Sequence, residues 1–262
     1  MITDYHIHTE YSIDSTYPME DIIIQAINLG IDEICFTEHM DYFINDFTHL
    51  VNYDEYLKEY NFLKDKYKDR VNIKLGSEFG VQMHTIKEFQ RDFNKYDFDF
   101  IILSNHQVDD KEFWNGEFQK GKNQLEYNNQ YYKAILNVIS NYKDYSVLGH
   151  LDMIKRYDSK GILDDKFNED IIKEILRMVI KDEKGIEVNT SCFRYGLPDI
   201  TPSRTILKWY YELGGKVITI GSDTHKESDL GYKIEEVKDI LKDIGFKEFC
   251  TFNKMKAIYH DL

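Results

Sequence analysis

Short runs of β-branched and aromatic residues alternate along this chain with longer stretches whose apolar positions recur every three or four residues. The first kind reads as buried strand and the second as amphipathic helix, because side chains repeat every two residues on a strand and every 3.6 on a helix. The pattern predicts strands over residues 2–8, 33–37, 71–79, 98–103, 145–149, 185–189, 216–220 and 246–252. It predicts helices over 19–29, closed by Gly30, and over 53–67, 86–93, 125–140, 168–180, 203–213 and 234–244. Strands and helices taking turns in this way mark βα units feeding a parallel sheet. With only three prolines and no low-complexity linker, nothing marks an internal boundary, and residues 1–262 are expected to form a single α/β domain.

Composition narrows the function classes. At 262 residues, 42% apolar and 15% aromatic, the chain has material for one large core and falls in the length range of a single α/β barrel. A formal net charge of −14 argues against general affinity for nucleic acid or anionic membranes, so an anionic substrate has to meet positive charge placed locally. Cys35, Cys192 and Cys250 are scattered, odd in number and without a Cys-x-x-Cys pair, which speaks against a disulfide framework or a cysteine zinc knot. Met1-Ile2-Thr3-Asp4 has no signal-peptide character and no run approaches the roughly 18 apolar residues of a membrane span, so a soluble, cytoplasmic protein is expected.

The histidines change the picture. His6 and His8 lie two apart on the first predicted strand, share a face, and form a ready pair of metal ligands. Glu38 and His39 end the second strand, Glu78 the third, His106 the fourth and His150 the fifth, while Asp223 and His225 follow the strand at 216–220. Six of the nine histidines thus fall at strand C-termini, which a barrel of βα units gathers on one rim. Any one of them alone is more simply a cap or a solvated loop residue. Burying the whole set together without cations would be too costly, and that favours a metal site. His49, His84 and His260 lack this setting and are expected to be surface or packing histidines, and Trp114 and the tyrosines to be core or pocket wall.

The series Tyr5-His6-Ile7-His8-Thr9, Asp14, Thr37-Glu38-His39, Glu78, His106, Gly149-His150 and Ser222-Asp223-Thr224-His225 resembles the polymerase and histidinol phosphatase (PHP) superfamily of metal-dependent phosphoesterases. The resemblance keeps the order of the motifs and covers nearly the whole chain. Gly149-His150-Leu151-Asp152, Glu187-Val188-Asn189-Thr190-Ser191 and Gly214-Gly215-Lys216 are similar to the stand-alone histidinol-phosphate phosphatases rather than to polymerase-attached domains. It implies a distorted (β/α)7, TIM-like barrel carrying three divalent metal ions at the C-terminal rim of the strands. His6, His8, Glu78 and Asp223 would hold one ion, Glu78, His106 and His150 a second, and Asp14, His39 and His225 a third. Nitrogen and oxygen donors without thiolate suit zinc, manganese or iron, and the oxygen ligand Asp14 leaves the third ion most open. The resemblance favours Arg156 and Arg194 for phosphate binding, and Asp223 or His225 is the nearest group to protonate a leaving alkoxide.

The implied reaction is hydrolysis of L-histidinol phosphate to L-histidinol and inorganic phosphate, a step of histidine biosynthesis. An ammonium and an imidazole beside the phosphate call for acids and aromatic faces, for which Asp41, Tyr42, Phe43 and Tyr157 are placed in βα loops. The loops at 79–84 and 109–122 are the expected specificity elements. Two rivals stand beside this reading: a PHP phosphoesterase acting on phosphotyrosine proteins or nucleotides, and a metal-binding protein without catalysis. Oligomeric state is left open.

Overall fold

The computed structural model describes residues 1–44 and 47–262, and side-chain surroundings outside residues 43–49. In chain order the elements are β1 (Thr3–Ile7), α1 (Met19–Asn28), β2 (Glu33–Phe36), β3 (His39–Ile44), β4 (Phe47–His49), α2 (Tyr53–Tyr67), β5 (Asn72–Gly80), α3 (Ile86–Phe93) and β6 (Phe100–Ser104). There follow β7 (Gln107–Val108), β8 (Lys111–Glu112), α4 (Gln124–Asn141), β9 (Val147–Leu148), α5 (Glu169–Lys181), β10 (Gly185–Asn189), α6 (Arg204–Glu212), β11 (Ile218–Gly221), α7 (Ile234–Ile244), β12 (Glu248–Asn253) and β13 (Lys256–Asp261).

The chain winds strand, helix, strand because each helix has one apolar stripe to bury. In α5 the buried positions are Ile172, Ile175, Leu176 and Val179, the 3.6-residue repeat of a single face. Each such side chain contributes roughly 1.5–3 kcal/mol when removed from water. Starts are written locally as well: Asn123 accepts from the Glu126 amide while Glu126 reaches back to it, and Ser203 accepts from the Ile206 amide at the head of α6.

Seven parallel strands lie side by side in the order β1-β2-β5-β6-β9-β10-β11. The ring is nearly closed where β1 meets the segment after β11: Ile7 pairs with Thr224, His8 N donating to Thr224 O at 2.9 Å and Thr224 N to His6 O at 3.1 Å. This is a distorted seven-stranded TIM-like barrel. Alternate residues of one strand serve two cores. Ile34, Ile101, Leu103, Ile186 and Ile218 pack with the helices, whereas Tyr5, Cys35, Phe100, Ile102 and Val147 form a separate apolar cluster within the ring.

The run at 246–252 does form a strand, but not a barrel strand. β12 pairs antiparallel with β13, and this hairpin joins the inner cluster through Cys250 and Phe252. Phe252 sits 5.0 Å from Phe100, which sits 5.0 Å from Tyr5, and the Phe252 amide donates to the Tyr5 hydroxyl at 2.9 Å. The pattern of alternating side chains specifies a strand and leaves its partner open, so the eighth strand was legible and its role as a plug was not. Two antiparallel pairs inside βα connections, β3–β4 and β7–β8, also lay beyond the pattern. Among the described residues no helix is long and apolar enough to cross a membrane.

Removing the plug's anchor tests this packing. Phe252→Ala is expected to lower the free energy of unfolding by about 3–5 kcal/mol, the usual cost of emptying a buried phenylalanine site. The check is the urea midpoint, and a midpoint equal to that of the parent would show that the hairpin unfolds separately from the barrel.

Candidate metal centre

Glu78, near the end of β5, is fully buried and stands where the strand ends converge. Its Oε2 lies 3.2 Å from His6 Nε2, 3.5 Å from His8 Nε2 and 2.8 Å from His39 Nδ1. Its Oε1 lies 2.8 Å from His150 Nε2 and 3.1 Å from His106 Nε2, and accepts from Ser104 Oγ at 2.6 Å. Asp223 Oδ1 is 3.7 Å from His6 Nε2 and 3.6 Å from His8 Nε2. At the outer edge Asp14 Oδ2 is 3.4 Å from His39 Nε2 and 3.0 Å from His225 Nε2. All nine residues singled out as metal-binding candidates therefore meet in one place, from six strand ends and the loop after β1.

The donor geometry fits divalent cations. Four ligands about 2.0–2.1 Å from a tetrahedral ion stand roughly 3.3–3.4 Å from one another, and the spacings among His6, His8, Glu78 and Asp223 bracket that value. His6 Nε2, His8 Nε2, His39 Nδ1 and Glu78 Oε2 are buried without a hydrogen-bond partner, lone pairs turned towards shared space. His6, His8 and Asp223 form one such triplet, Glu78, His106 and His150 a second, and His8, His39 and His225 a third.

Outer partners aim the rings. His6 Nδ1 is 2.5 Å from Glu187 Oε1, His106 Nδ1 2.9 Å from Asp41 Oδ1, and His225 Nδ1 3.0 Å from the Asp223 carbonyl. An Nδ1–H given to an outer acceptor leaves the Nε2 lone pair facing the cluster. Glu187 also takes the His150 amide on its other oxygen at 2.8 Å, so one carboxylate orients two strand ends. Gly221 makes room for it, since a Cβ there would come within 2.4 Å of His6 Cβ and 2.6 Å of Glu187 Oε1. His150 and Asp223 hold φ of 22° and 58°, a strained conformation that persists where surrounding contacts over-determine it.

Electrostatics follow from this crowding. Burial alone would push Glu78 up, yet His6, His106 and His39 hold it well below the carboxylate range. Asp223 is likewise raised by burial but kept well below by His6, His8, His225 and Arg156. Burial works against a proton on His106, and Asp41 and Glu78 override it to bring the ring to about 10. Burial, with His39 and His225 beside it, drives His8 well below its ordinary value. Ionised carboxylates in a dry hollow make a place for positive charge.

The cleft above the cluster has a volume of about 910 Å³ and is lined by Asp14, His39, Glu78, His106, His150, Asp223 and His225 at its base. Arg156 and Arg194 stand on its wall with Tyr157 and Tyr195, and Glu112 and Trp114 extend into it from the 109–122 loop. Arg156 Nη2 donates to Ser191 Oγ at 2.6 Å, its guanidinium 3.9 Å from the centre of the Tyr195 ring. Arg194 Nη2 donates to the Asp223 carbonyl at 2.8 Å, while its buried Nη1 has no hydrogen-bond partner.

Several expectations change. Asp41 does line the cleft, with its Oδ1 bonded to His106 Nδ1, whereas Tyr42 is turned to Asp92 and Arg91, away from the cleft. The Phe43 and His49 side chains lie outside the described residues. The 79–84 loop lines a separate hollow of about 240 Å³. Glu38 accepts from Thr9 and Ser12 and so braces the loop that carries Asp14. Glu187 went unassigned in the sequence, although its inward place on β10 was the available signal.

Known proteins resemble this chain in sequence and fold. The PHP domain matches residues 4–191. The chain is 35% identical over 256 residues to the histidinol-phosphatase of Lactococcus lactis subsp. lactis, covering 97% of this chain and 95% of that one. It is 32% identical over 255 residues to a probable histidinol-phosphatase of Thermotoga maritima, covering 96% of each. The crystal structure of histidinol phosphate phosphatase from L. lactis, complexed with zinc, L-histidinol and phosphate, superposes with a TM-score of 0.92 at 34% identity and 98% coverage of both chains. A barrel whose strand ends converge on one buried glutamate, in a sequence aligned end to end with these relatives, makes this chain a member of the PHP family.

Proposed function

We propose that this chain is a metal-dependent histidinol-phosphatase that hydrolyses L-histidinol phosphate to L-histidinol and inorganic phosphate, residues 1–262 acting as one domain. The observation that carries this reading is the meeting, in one cleft, of an imidazole and carboxylate cage around Glu78 with two arginines on its wall. The names of the relatives and the histidinol and phosphate held by the similar crystal structure support the substrate. Asp223 and His225 lie beyond the matched PHP segment yet stand in the same cage, which supports a single domain.

In this reading His6, His8, Glu78 and Asp223 would hold one divalent ion, Glu78, His106 and His150 a second, and Asp14, His39 and His225 a third. The donor set suits zinc, manganese or iron, and the zinc in the similar crystal structure favours zinc. Such ions, when bound, set positive charge against the phosphoryl oxygens and lower the pKa of a water towards about 7.

The remaining work belongs to side chains. Arg156 is held in place by Ser191 and the Tyr195 face, and Arg194 offers the unpartnered Nη1, so both guanidinium groups bind phosphate oxygens and the negative charge that grows on them. Asp223 divides its oxygens: Oδ1 faces His6 and His8, while Oδ2 lies 3.2 Å from Ser191 Oγ and 3.7 Å from Arg156. Oδ2 is thus the atom that takes a proton from the attacking water and returns it to the departing alkoxide. His225, with Nδ1 on the Asp223 carbonyl and Nε2 facing Asp14, would serve the third ion as a ligand instead. Glu112, Trp114 and Tyr157 supply the carboxylate and aromatic faces for the ammonium and imidazole.

Phosphate release from histidinol phosphate, phosphotyrosine, mononucleotides and an aryl phosphate, measured with matched metal analysis, tests the assignment. The expected kcat/KM on histidinol phosphate exceeds that on the aryl ester by about 100-fold or more. Equal efficiencies would remove the substrate, and no release from any ester by metal-loaded protein would leave a binding protein without catalysis. His106→Asn is expected to lose one metal equivalent and about 100-fold in kcat with the circular dichroism spectrum unchanged. Parent-like turnover would take His106 out of the mechanism. Glu112→Gln should raise KM for histidinol phosphate about tenfold and leave that for the aryl ester where it was; equal rises on both would show that Glu112 does not recognise the leaving group.

A further inference from the structure

Asp152, the last residue of the Gly149-His150-Leu151-Asp152 stretch, takes no part in the cage around Glu78. Its Oδ2 lies 2.8 Å from Lys155 Nζ, and the same ammonium stands 2.6 Å from Asp165 Oδ1. All three residues are buried, Lys155 to within 9% of complete. The cluster lines a hollow of about 340 Å³ that is separate from the cleft.

A lysine is almost never buried unless paired, and here the pairing joins three segments. Lys155 lies on the short 3-10 turn Met153–Tyr157, and Asp165 begins the turn Asp165–Asn168 that leads into α5. Ser203 brings in the head of α6: its amide donates to Asp152 Oδ2 at 3.0 Å and its hydroxyl to Asp165 Oδ2 at 2.6 Å. Arg156 is the next residue along that turn, and its guanidinium points the other way, into the cleft, onto Ser191 and Tyr195. A five-residue turn has little internal rigidity, so where it sits determines how far Arg156 reaches.

Stability alone does not account for the cluster. Two acids crowd one ammonium in the interior, and apolar side chains of the same volume often stabilise a fold as well as such a buried cluster. Charged hydrogen bonds add direction, holding the turn at one distance from the heads of α5 and α6.

We propose that Lys155 is a positioning residue for phosphate binding: clamped between Asp152 and Asp165, it fixes the turn from which Arg156 reaches the phosphate. The inference rests on reading Arg156 as a phosphate ligand. The two side chains form one unit, Lys155 behind the turn and Arg156 in front of it.

The test compares metal-loaded full-length Lys155→Met, Lys155→Arg, Arg156→Ala and the double variant Lys155→Met/Arg156→Ala. Binding of inorganic phosphate is followed by calorimetry, with KM, kcat and metal content alongside. In Lys155→Met, phosphate affinity is expected to weaken and KM to rise about tenfold, with kcat less affected and metal content that of the parent. Lys155→Arg recovers part of the loss, and the double variant binds phosphate no more weakly than Arg156→Ala alone, because both changes remove one interaction. Parent-like phosphate affinity in Lys155→Met, or losses that add fully in the double variant, would overturn the proposal. If Lys155→Met fails to fold, Ser203→Ala loosens the same clamp through Asp165 and is judged by the same two outcomes. A parent that binds phosphate but does not hydrolyse histidinol phosphate would end the functional reading, while the calorimetry would still decide the role of Lys155.

Discussion

A carboxylate buried at the meeting point of several strands has to be neutralised, and Glu78 sets that requirement for this barrel. Taking one such charge out of water costs several kcal/mol, which only close positive charge or donated hydrogen bonds offset. Five imidazoles surround it within 3.5 Å. Their outer nitrogens in turn engage Glu187, Asp41 and Ser12. Layers of alternating donor and acceptor therefore build outward from one residue. The strained backbone at His150 and Asp223 belongs to the same arrangement, since each is bent to deliver a side chain to the centre.

The barrel keeps its two ends chemically apart. The lower interior is closed by Tyr5, Phe100 and Phe252 with the β12–β13 hairpin, while the upper interior holds the charged groups. An apolar floor excludes water from beneath the cage and raises the strength of every interaction above it. The same strands serve both ends because successive inward residues lie at different heights. On β6, Phe100 and Ile102 line the floor, and Ser104 donates to Glu78.

A chain of net charge −14 that handles phosphate needs its positive field in one spot. Arg156 and Arg194 are partly buried against Tyr195 and Tyr232, Arg156 bonded to Ser191 and Arg194 to the Asp223 carbonyl. The arginine wall and the cage are thus mechanically joined: Ser191 meets both Arg156 and Asp223. Behind them, the buried contacts of Lys155 anchor the Arg156 turn to two helix heads.

Local rules carried much of this. Periodicity located seven helices and the strands between them, with α2, α3, α7 and β10 matching residue for residue. The His-x-His pair and the acids and histidines after each strand were visible because βα geometry sends every strand end to one rim. What periodicity lacks is a partner. It read 246–252 as a strand but had no means of placing it beneath the barrel, since pairing depends on which edge is free once the ring has closed. Likewise the contacts of Glu187 with the His150 amide and of Asp152 with the Ser203 amide join residues 37 and 51 positions apart, and the place of Lys155 between two acids depends on how the turn that bears Asp165 folds back onto it. Sequence alone determined which groups are present and at which strand end each sits. Tertiary structure alone decided which of them touch, because a contact between distant segments is a property of closure and packing that no local pattern encodes.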